Sequence, residues 1–469
     1  MSYKPLTFNL IPGPPAMPVF GWRGNLIRFG ADPVGYIRWL HRTYGDLVAF
    51  IRDRPGWMFA FGPEYNHYLL ANPDLFYSKP FMTAPPESAL ERLTSGLLSM
   101  NGDQHRQQRR LILPAFHKKR IEAYRDDMVT IAEQIVGSWR SGGRLDIARE
   151  MQKLTLRIAS KTLFGLDAAR GADSLGGMIK RWLNLLDSMG PTLFPIDLPG
   201  MPYHRLLRLS ERLEAKVLEM IGRKRAQLAD ESDVMAMLIH ARDEDGSRMS
   251  DAELIGQATV LFIAGHETSS NALTWTLFLL SQHPHVLDDL CDELSGVLRG
   301  DAPTLEQLAR LPLLERVIKE SMRLLPPASV SLRVSTGPFE LGPYQLPRGA
   351  TVFFSQYLTH HMPSLYPEPE KFLPRRWETI VPSAYEYLPF GAGSRMCIGA
   401  TFAMMEIKIA LALILQRYRL ALQPRARIDR RLRITLSPKY GLPMIVLSKD
   451  QPLPRHAPRG NIREMVDLG

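Results

Sequence analysis

Ser250 to Gln282 constrains the fold more than any other stretch, because it runs for about 30 residues without a proline and is apolar on nearly every face. Ser250 and Glu253 stand at its start with the spacing of a capping box, in which a hydroxyl and a carboxylate satisfy amides that a helix leaves unpaired at that end. At 1.5 Å per residue such a helix is roughly 45 Å long, enough to cross a whole molecule. With no polar face it is expected to be buried. Its centre nevertheless reads A-G-H-E-T-S, Ala264 to Ser269. Gly265 costs about 1 kcal/mol relative to alanine in a helix interior, and a carboxylate and a hydroxyl buried at Glu267 and Thr268 must be hydrogen-bonded or have a chemical role. A hydroxyl bonded back to the preceding turn accounts for Thr268, but not for Gly265 and Glu267 beside it.

A second stretch, Phe390 to Ala400, reads F-G-A-G-S-R-M-C-I-G-A and holds Cys397, one of only two cysteines. A free thiol has a pKa of about 8.5, so a permanent anionic ligand needs help. An apolar helical pattern from Ile398 to Arg419 turns its positive end toward the sulfur. Gly391, Gly393 and Gly399 allow close backbone approach to a flat cofactor, and Arg395 supplies a fixed charge for an acidic group on it. A dinucleotide fingerprint fails here, since Met396 stands where the third glycine belongs. The pattern F-x-x-G-x-R-x-C-x-G, through Phe390, Gly393, Arg395, Cys397 and Gly399, resembles the haem-binding loop of the cytochrome P450 family, whose axial ligand is the cysteine thiolate.

The resemblance implies heme b (iron protoporphyrin IX) as cofactor, Cys397 as its iron ligand, and Ala264 and Gly265 on the helix beside it. In the family that helix opens over the haem to admit oxygen, the acid (here Glu267) feeds protons, and the threonine (Thr268) holds dioxygen and its water. The segment K-E-S-M-R with F-L-P-R-R-W resembles the family's E-x-x-R helix and its later arginine, making Glu320, Arg323 and Arg376 a structural triad; Arg375 replaces the usual glutamate. Alone, the Glu320 and Arg323 spacing means little. His105 and Arg109 share one helix face, and by resemblance they hold a haem propionate together with Arg333. Phe81 and Met82 border the substrate pocket, Ala328, Ser329 and Val330 face substrate, and the proline-broken stretch Met178 to Pro202 resembles a mobile lid. His360 and His361 lack further ligands at useful spacing, so surface or haem-edge positions are expected for them.

The fold class that follows is mainly α with a small β part, a cytochrome P450-like fold with a long central helix over haem. One haem domain is expected over 1–451, with a proline-punctuated tail over 452–469. Helices are expected at Asp32 to Tyr44, from Gly102, at Arg120 to Arg140, at Asp146 to Phe164 and at Leu311 to Leu325. Strands are expected at Leu47 to Ile51, Trp57 to Phe61, Leu332 to Thr336, Phe339 to Leu341 and Thr351 to Phe354. Two distant cysteines suit a reducing cytoplasm. The first residues lack the apolar run of a signal peptide or of the membrane anchor that microsomal family members carry, so a soluble, bacterial, cytoplasmic protein is expected. The net charge of +10 lacks the basic blocks with interleaved aromatics of a nucleic-acid binder.

The implied activity is that of a monooxygenase, inserting one atom of O2 into a lipophilic small molecule by hydroxylation or epoxidation. Electrons come from a separate acidic ferredoxin or flavodoxin with its reductase, docking near Arg106, Arg110, Lys118, Lys119 and Arg120. A peroxide-driven peroxygenase would lack the acid and threonine pair. A non-catalytic haem-thiolate binder or sensor would not need it.

Overall fold

The computed structural model describes residues 11–468 except 53, 55, 80–83, 167–172, 187, 189, 192–193 and 227–232, so Phe81 and Met82 lie outside the described residues. The chain divides into two compact units. The first comprises Met1–Lys79, Met322–Lys371 and Trp377–Cys397, and the second Pro80–Ser321, Phe372–Arg376 and Ile398–Gly469.

The first unit is built on a mixed sheet. Strands β1 (Leu47–Ala49), β2 (Trp57–Ala60), β3 (Phe76–Tyr77), β5 (Ser331–Ser335) and β8 (Thr351–Phe354) lie in the order β1-β2-β8-β5-β3. β1 and β2 are the expected antiparallel pair, with Val48 opposite Phe59, whereas β2 runs parallel to the distant β8. Side chains alternate across a strand. One face meets helix α1 (Pro33–Tyr44), which starts where the Asp32 carboxylate accepts from Gly35 N at 3.2 Å and Pro33 presets the first turn. Tyr36, Phe50, Phe59 and Phe61 pack there with Phe353. The other face gathers Met58, Val352 and Phe354 with Leu388 and Ala392, anchoring the chain that leads to Cys397. A further hairpin pairs β6 (Phe339–Leu341) with β7 (Tyr344–Leu346).

The second unit is helical: α2 (Gly102–Ile112), α3 (Ile147–Phe164), α4 (Asp173–Leu186), α5 (Pro202–Ala226), α6 (Asp251–Gln282) and α8 (Ala400–Leu415), while α7 (Pro312–Leu324) carries the chain into the first unit. The expected long helix is α6, 32 residues opened by the Ser250 and Glu253 capping box. It is buried over 254–259 and 269–282, but residues 260, 261 and 263–268 are only partly covered and Ala264 is exposed. At its buried first turns the backbone of 95–96 comes so close that a Cβ on Gly256 would stand 2.9 Å from Gly96 N. The prolines between α4 and α5 end regular helix as expected, and residues 194–200 are exposed. The expected helix from Arg120 to Arg140 is two, Lys118–Ala123 and Arg125–Gly137, jointed at Tyr124.

Strands β4 (Arg144–Asp146), β9 (Tyr418–Leu422) and β12 (Pro443–Ser448) form a three-stranded sheet, and β10 (Arg430–Leu432) and β11 (Leu436–Pro438) a hairpin. The tail is packed: Ile462, Met465 and Val466 are buried, and Arg430 is held by Asn461 and by Glu464, the latter at 2.8 Å. Among the described residues no helix is long and apolar enough to cross a membrane.

Candidate active site

In the first unit the chain before Cys397 is a succession of tight turns. Gly391 and Gly393 both have φ +69, and a Cβ on Gly393 would stand 2.4 Å from the Leu70 carbonyl oxygen, so only glycine fits there. Gly391 N donates to Leu388 O at 3.0 Å and Cys397 N to Phe390 O at 2.8 Å. The loop is thereby closed on itself, and the Cys397 side chain is exposed at its end. Three residues later α8 begins, apolar except for Thr401, Glu406 and Lys408.

Leu388 N is received at 3.0 Å by His360 Nε2. His360 is fully buried and His361 nearly so, which corrects the expectation of a surface position for them. His360 is a post under the loop: an acceptor Nε2 means a neutral ring, and burial together with the nearby Arg323 charge pushes its pKa down to about 3.

Arg333, on β5, and Arg395 act on each other in the same unit. Burial first, and then the Arg395 charge, hold the Arg333 guanidinium down to about 10. Two arginines whose charges act on each other, one of them two residues before an exposed thiol in a glycine-lined turn, suit a flat acidic iron cofactor. These residues fit the group that the sequence implies.

Ser329 is turned into the protein. It is fully buried, its hydroxyl donates to Pro326 O at 2.6 Å, and its carbonyl accepts from Ser355 Oγ at 2.9 Å. The expectation that it faces substrate is corrected, because the chain bends at Pro327 and Ala328 and the hydroxyl folds back onto the carbonyl three residues earlier. Ala328 is half-buried, and Val330 packs on the aromatic core.

In the second unit the middle of α6 carries the polar groups. It stays helical through Ala264 to Ser269 without a break, with Ala264 exposed. Thr268 Oγ1 donates to Ala264 O at 2.8 Å. Thr155 of α3 donates to His266 O at 2.9 Å. His266 Nδ1 donates to Phe262 O at 2.6 Å; burial pushes its pKa down, against that hydrogen bond and the Glu267 charge. A Cβ on Gly265 would meet Leu163 Cδ1 at 2.9 Å, so the glycine lets α3 pass close.

Glu267 Oε1 accepts from Thr435 Oγ1 at 2.9 Å, and Thr435 in turn accepts from Asn271 Nδ2 at 3.0 Å. Sequence reading missed both partners. The signal was present in the spacing of Glu267, Asn271 and Trp275, polar-tipped residues four apart on an apolar helix. Glu406 on α8 is a further acid that sequence reading noted only as part of a match. It is fully buried, and its oxygens have no hydrogen-bond partner among the described residues. Burial pushes it up to about 8, with Ser269 close enough to favour the charged form slightly without closing a bond.

On α2, His105 is buried and Arg109 half-buried on the inner face, as their shared spacing requires. Arg106 and Arg110 point out and are paired with Asp103 at 2.6 Å and Asp243 at 2.7 Å, which removes part of the positive patch expected there. Lys118, Lys119 and Arg120 remain exposed. Arg376 Nε donates to Glu320 Oε1 at 2.9 Å, and Leu373 N reaches the same oxygen at 3.0 Å. Arg323 is fully buried and donates to the carbonyls of His360, Pro369 and Lys371. Arg375 is exposed.

A family model described as Cytochrome P450 matches residues 11–442. The cyclooctat-9-en-7-ol 5-monooxygenase of Streptomyces melanosporofaciens is 34% identical over 431 residues, covering 89% of this chain and 90% of that one. The pentalenene oxygenase of Streptomyces avermitilis is 29% identical over 450 residues, covering 92% of this chain and 98% of that one. The haem domain of cytochrome P450DA, a solved structure, is 26% identical with a TM-score of 0.83, covering 94% of this chain and 98% of that one. With the motifs in order and the match running almost end to end, the chain belongs to the cytochrome P450 family.

Proposed function

We propose that this P450 ligates iron through Cys397, delivers protons through Glu267 and Thr268, and oxidises an uncharged, lipophilic cyclic molecule. As a family member it is a monooxygenase that binds heme b and uses O2 with electrons from a redox partner. Haem, when bound, supplies the reductive activation of oxygen, with a thiolate pushing electron density toward O-O cleavage.

The observation that carries the reading is the exposed Cys397 at the end of a glycine turn that closes on Phe390. Arg333 and Arg395 hold an acidic edge of the cofactor, relieving their mutual repulsion, and His105 and Arg109 are the second set of propionate partners. Glu267 and Thr268 hold and pass protons from the open stretch of α6. Glu320, Arg323 and Arg376 brace the chain that leads to the cysteine loop.

Two relatives are named for a cyclic alkene and a cyclic alkenol as substrates. That class is proposed from the relatives' names, with Phe81, Met82, Ala328 and Val330 as the residues proposed to meet the substrate. The exposed Lys118, Lys119 and Arg120 suit an acidic ferredoxin or flavodoxin.

The test is the spectrum of the reduced protein with carbon monoxide, on wild type and Cys397→Ala, followed by a spin-shift screen of cyclic alkenes and alkenols. A strongly red-shifted Soret band that the substitution abolishes supports the assignment, and a shift with the alkenes supports the substrate class. A band unchanged by Cys397→Ala sinks the ligand, and with it the reading.

A further inference from the structure

We propose that Thr435, oriented by Asn271, is a positioning residue that fixes the Glu267 carboxyl by engaging Oε1, so that the proton it passes is carried on Oε2. The inference rests on the proton role given to Glu267 above and extends it to a loop far away in sequence.

Thr435 sits in the turn of the hairpin between β10 and β11, where Leu432 pairs with Leu436. Three residues of α6 grip that turn. Asn271 Nδ2 and Glu267 Oε1 both bond Thr435 Oγ1, and Trp275 Nε1 donates to Leu436 O at 2.9 Å. Residues 267, 271 and 275 are four apart, so they form one face of the helix, and this face is devoted to the hairpin. Asn271, Trp275 and Thr435 are all buried, while Glu267 itself is partly covered.

The direction of the chain follows from the donor inventory. An amide nitrogen only donates, so Thr435 Oγ1 must accept from Asn271. An ionised carboxylate only accepts, so the hydroxyl, taking the amide proton on one side, points its own proton at Glu267 Oε1. That oxygen is then engaged as an acceptor, and a proton on the carboxyl rides on Oε2. A carboxyl on a flexible side chain would otherwise sample either oxygen and several rotamers. The hairpin therefore decides which atom of the acid faces its acceptor and at what angle. A shift of the β10 to β11 turn would be felt at Glu267 directly.

The experiment compares holoenzyme carrying Thr435→Val, Thr435→Ser or Asn271→Asp with wild type. The carboxyl infrared band of Glu267 is identified by difference against Glu267→Gln. Thr435→Val should shift that band and Thr435→Ser should restore it. Asn271→Asp, which can only accept, should draw the hydroxyl proton away and shift the band in the same sense as Thr435→Val. A double-mutant cycle of Thr435→Val with Glu267→Gln, read by urea unfolding, should show a coupling of about five- to tenfold in the unfolding equilibrium constant. An unmoved band in Thr435→Val together with no coupling overturns the proposal. Glu267→Gln enzyme that oxidises NADPH through a plant ferredoxin pair with unchanged peroxide yield would instead remove the proton role of Glu267, leaving the infrared result to stand by itself.

Discussion

Glu406→Gln should change stability in a way that depends on pH. The carboxyl is fully buried without a hydrogen-bond partner among the described residues, and burial lifts it from 4.5 to about 8. Below pH 4.5 the acid is neutral in both states and costs nothing through ionisation. As pH rises the unfolded chain releases the proton while the folded protein keeps it, so stability is lost until the folded group also ionises near pH 8. At pH 6 the loss is that of about 1.5 pH units and at pH 9 it has reached about 3.5. The difference is about 2–3 kcal/mol at 1.36 kcal/mol per unit. Glutamine fills the same space and never titrates. The stability of Glu406→Gln relative to wild type should therefore rise by about 2–3 kcal/mol between pH 6 and pH 9. Urea unfolding followed by tryptophan fluorescence at several pH values reads this directly. A difference that stays flat from pH 6 to pH 9 would refute a neutral buried acid at this position.

Arg376→Ala should destabilise by about 3–5 kcal/mol, since it removes the guanidinium paired with the fully buried Glu320 carboxylate at 2.9 Å; a loss of less than a third of that in urea unfolding would remove the ion pair from the account. Glycine positions should separate sharply. Gly96→Ala places its Cβ 2.5 Å from the Gly256 carbonyl oxygen, where backbone must move, whereas Gly265→Ala meets only the end of Leu163. The first is expected to cost more than about 2 kcal/mol and the second to stay within about 1 kcal/mol of wild type, with thermal melts as the check. Ser250→Ala removes the hydroxyl that receives Glu253 N at 3.3 Å, and a loss of about 1 kcal/mol is expected in the same assay.

What a single stretch could encode by itself was legible in the residues. The capping box and the lack of proline over Ser250 to Gln282 determine α6, because helix formation depends on neighbours three and four residues away. The turns before Cys397 likewise follow from glycines whose positive φ other residues avoid. The polar centre at Glu267 and Thr268 stands out against its apolar surroundings for the same local reason.

Only the tertiary structure decided what comes from far along the chain. The parallel pairing of β2 with β8 joins strands almost 300 residues apart, and nothing in either strand names the other. The burial of His360 under Leu388 and the inward turn of Ser329 depend on which face of a segment meets the core. Of the outward arginines of α2, Arg110 is paired with an aspartate more than a hundred residues along the chain, Asp243. Thr435 is the clearest case. A threonine in a hairpin turn looks like solvent chemistry in sequence, and it becomes the partner of Glu267 only because packing against α6 brings the two within 2.9 Å. Hydrogen bonds reward proximity in space, and a sequence records proximity only along the chain.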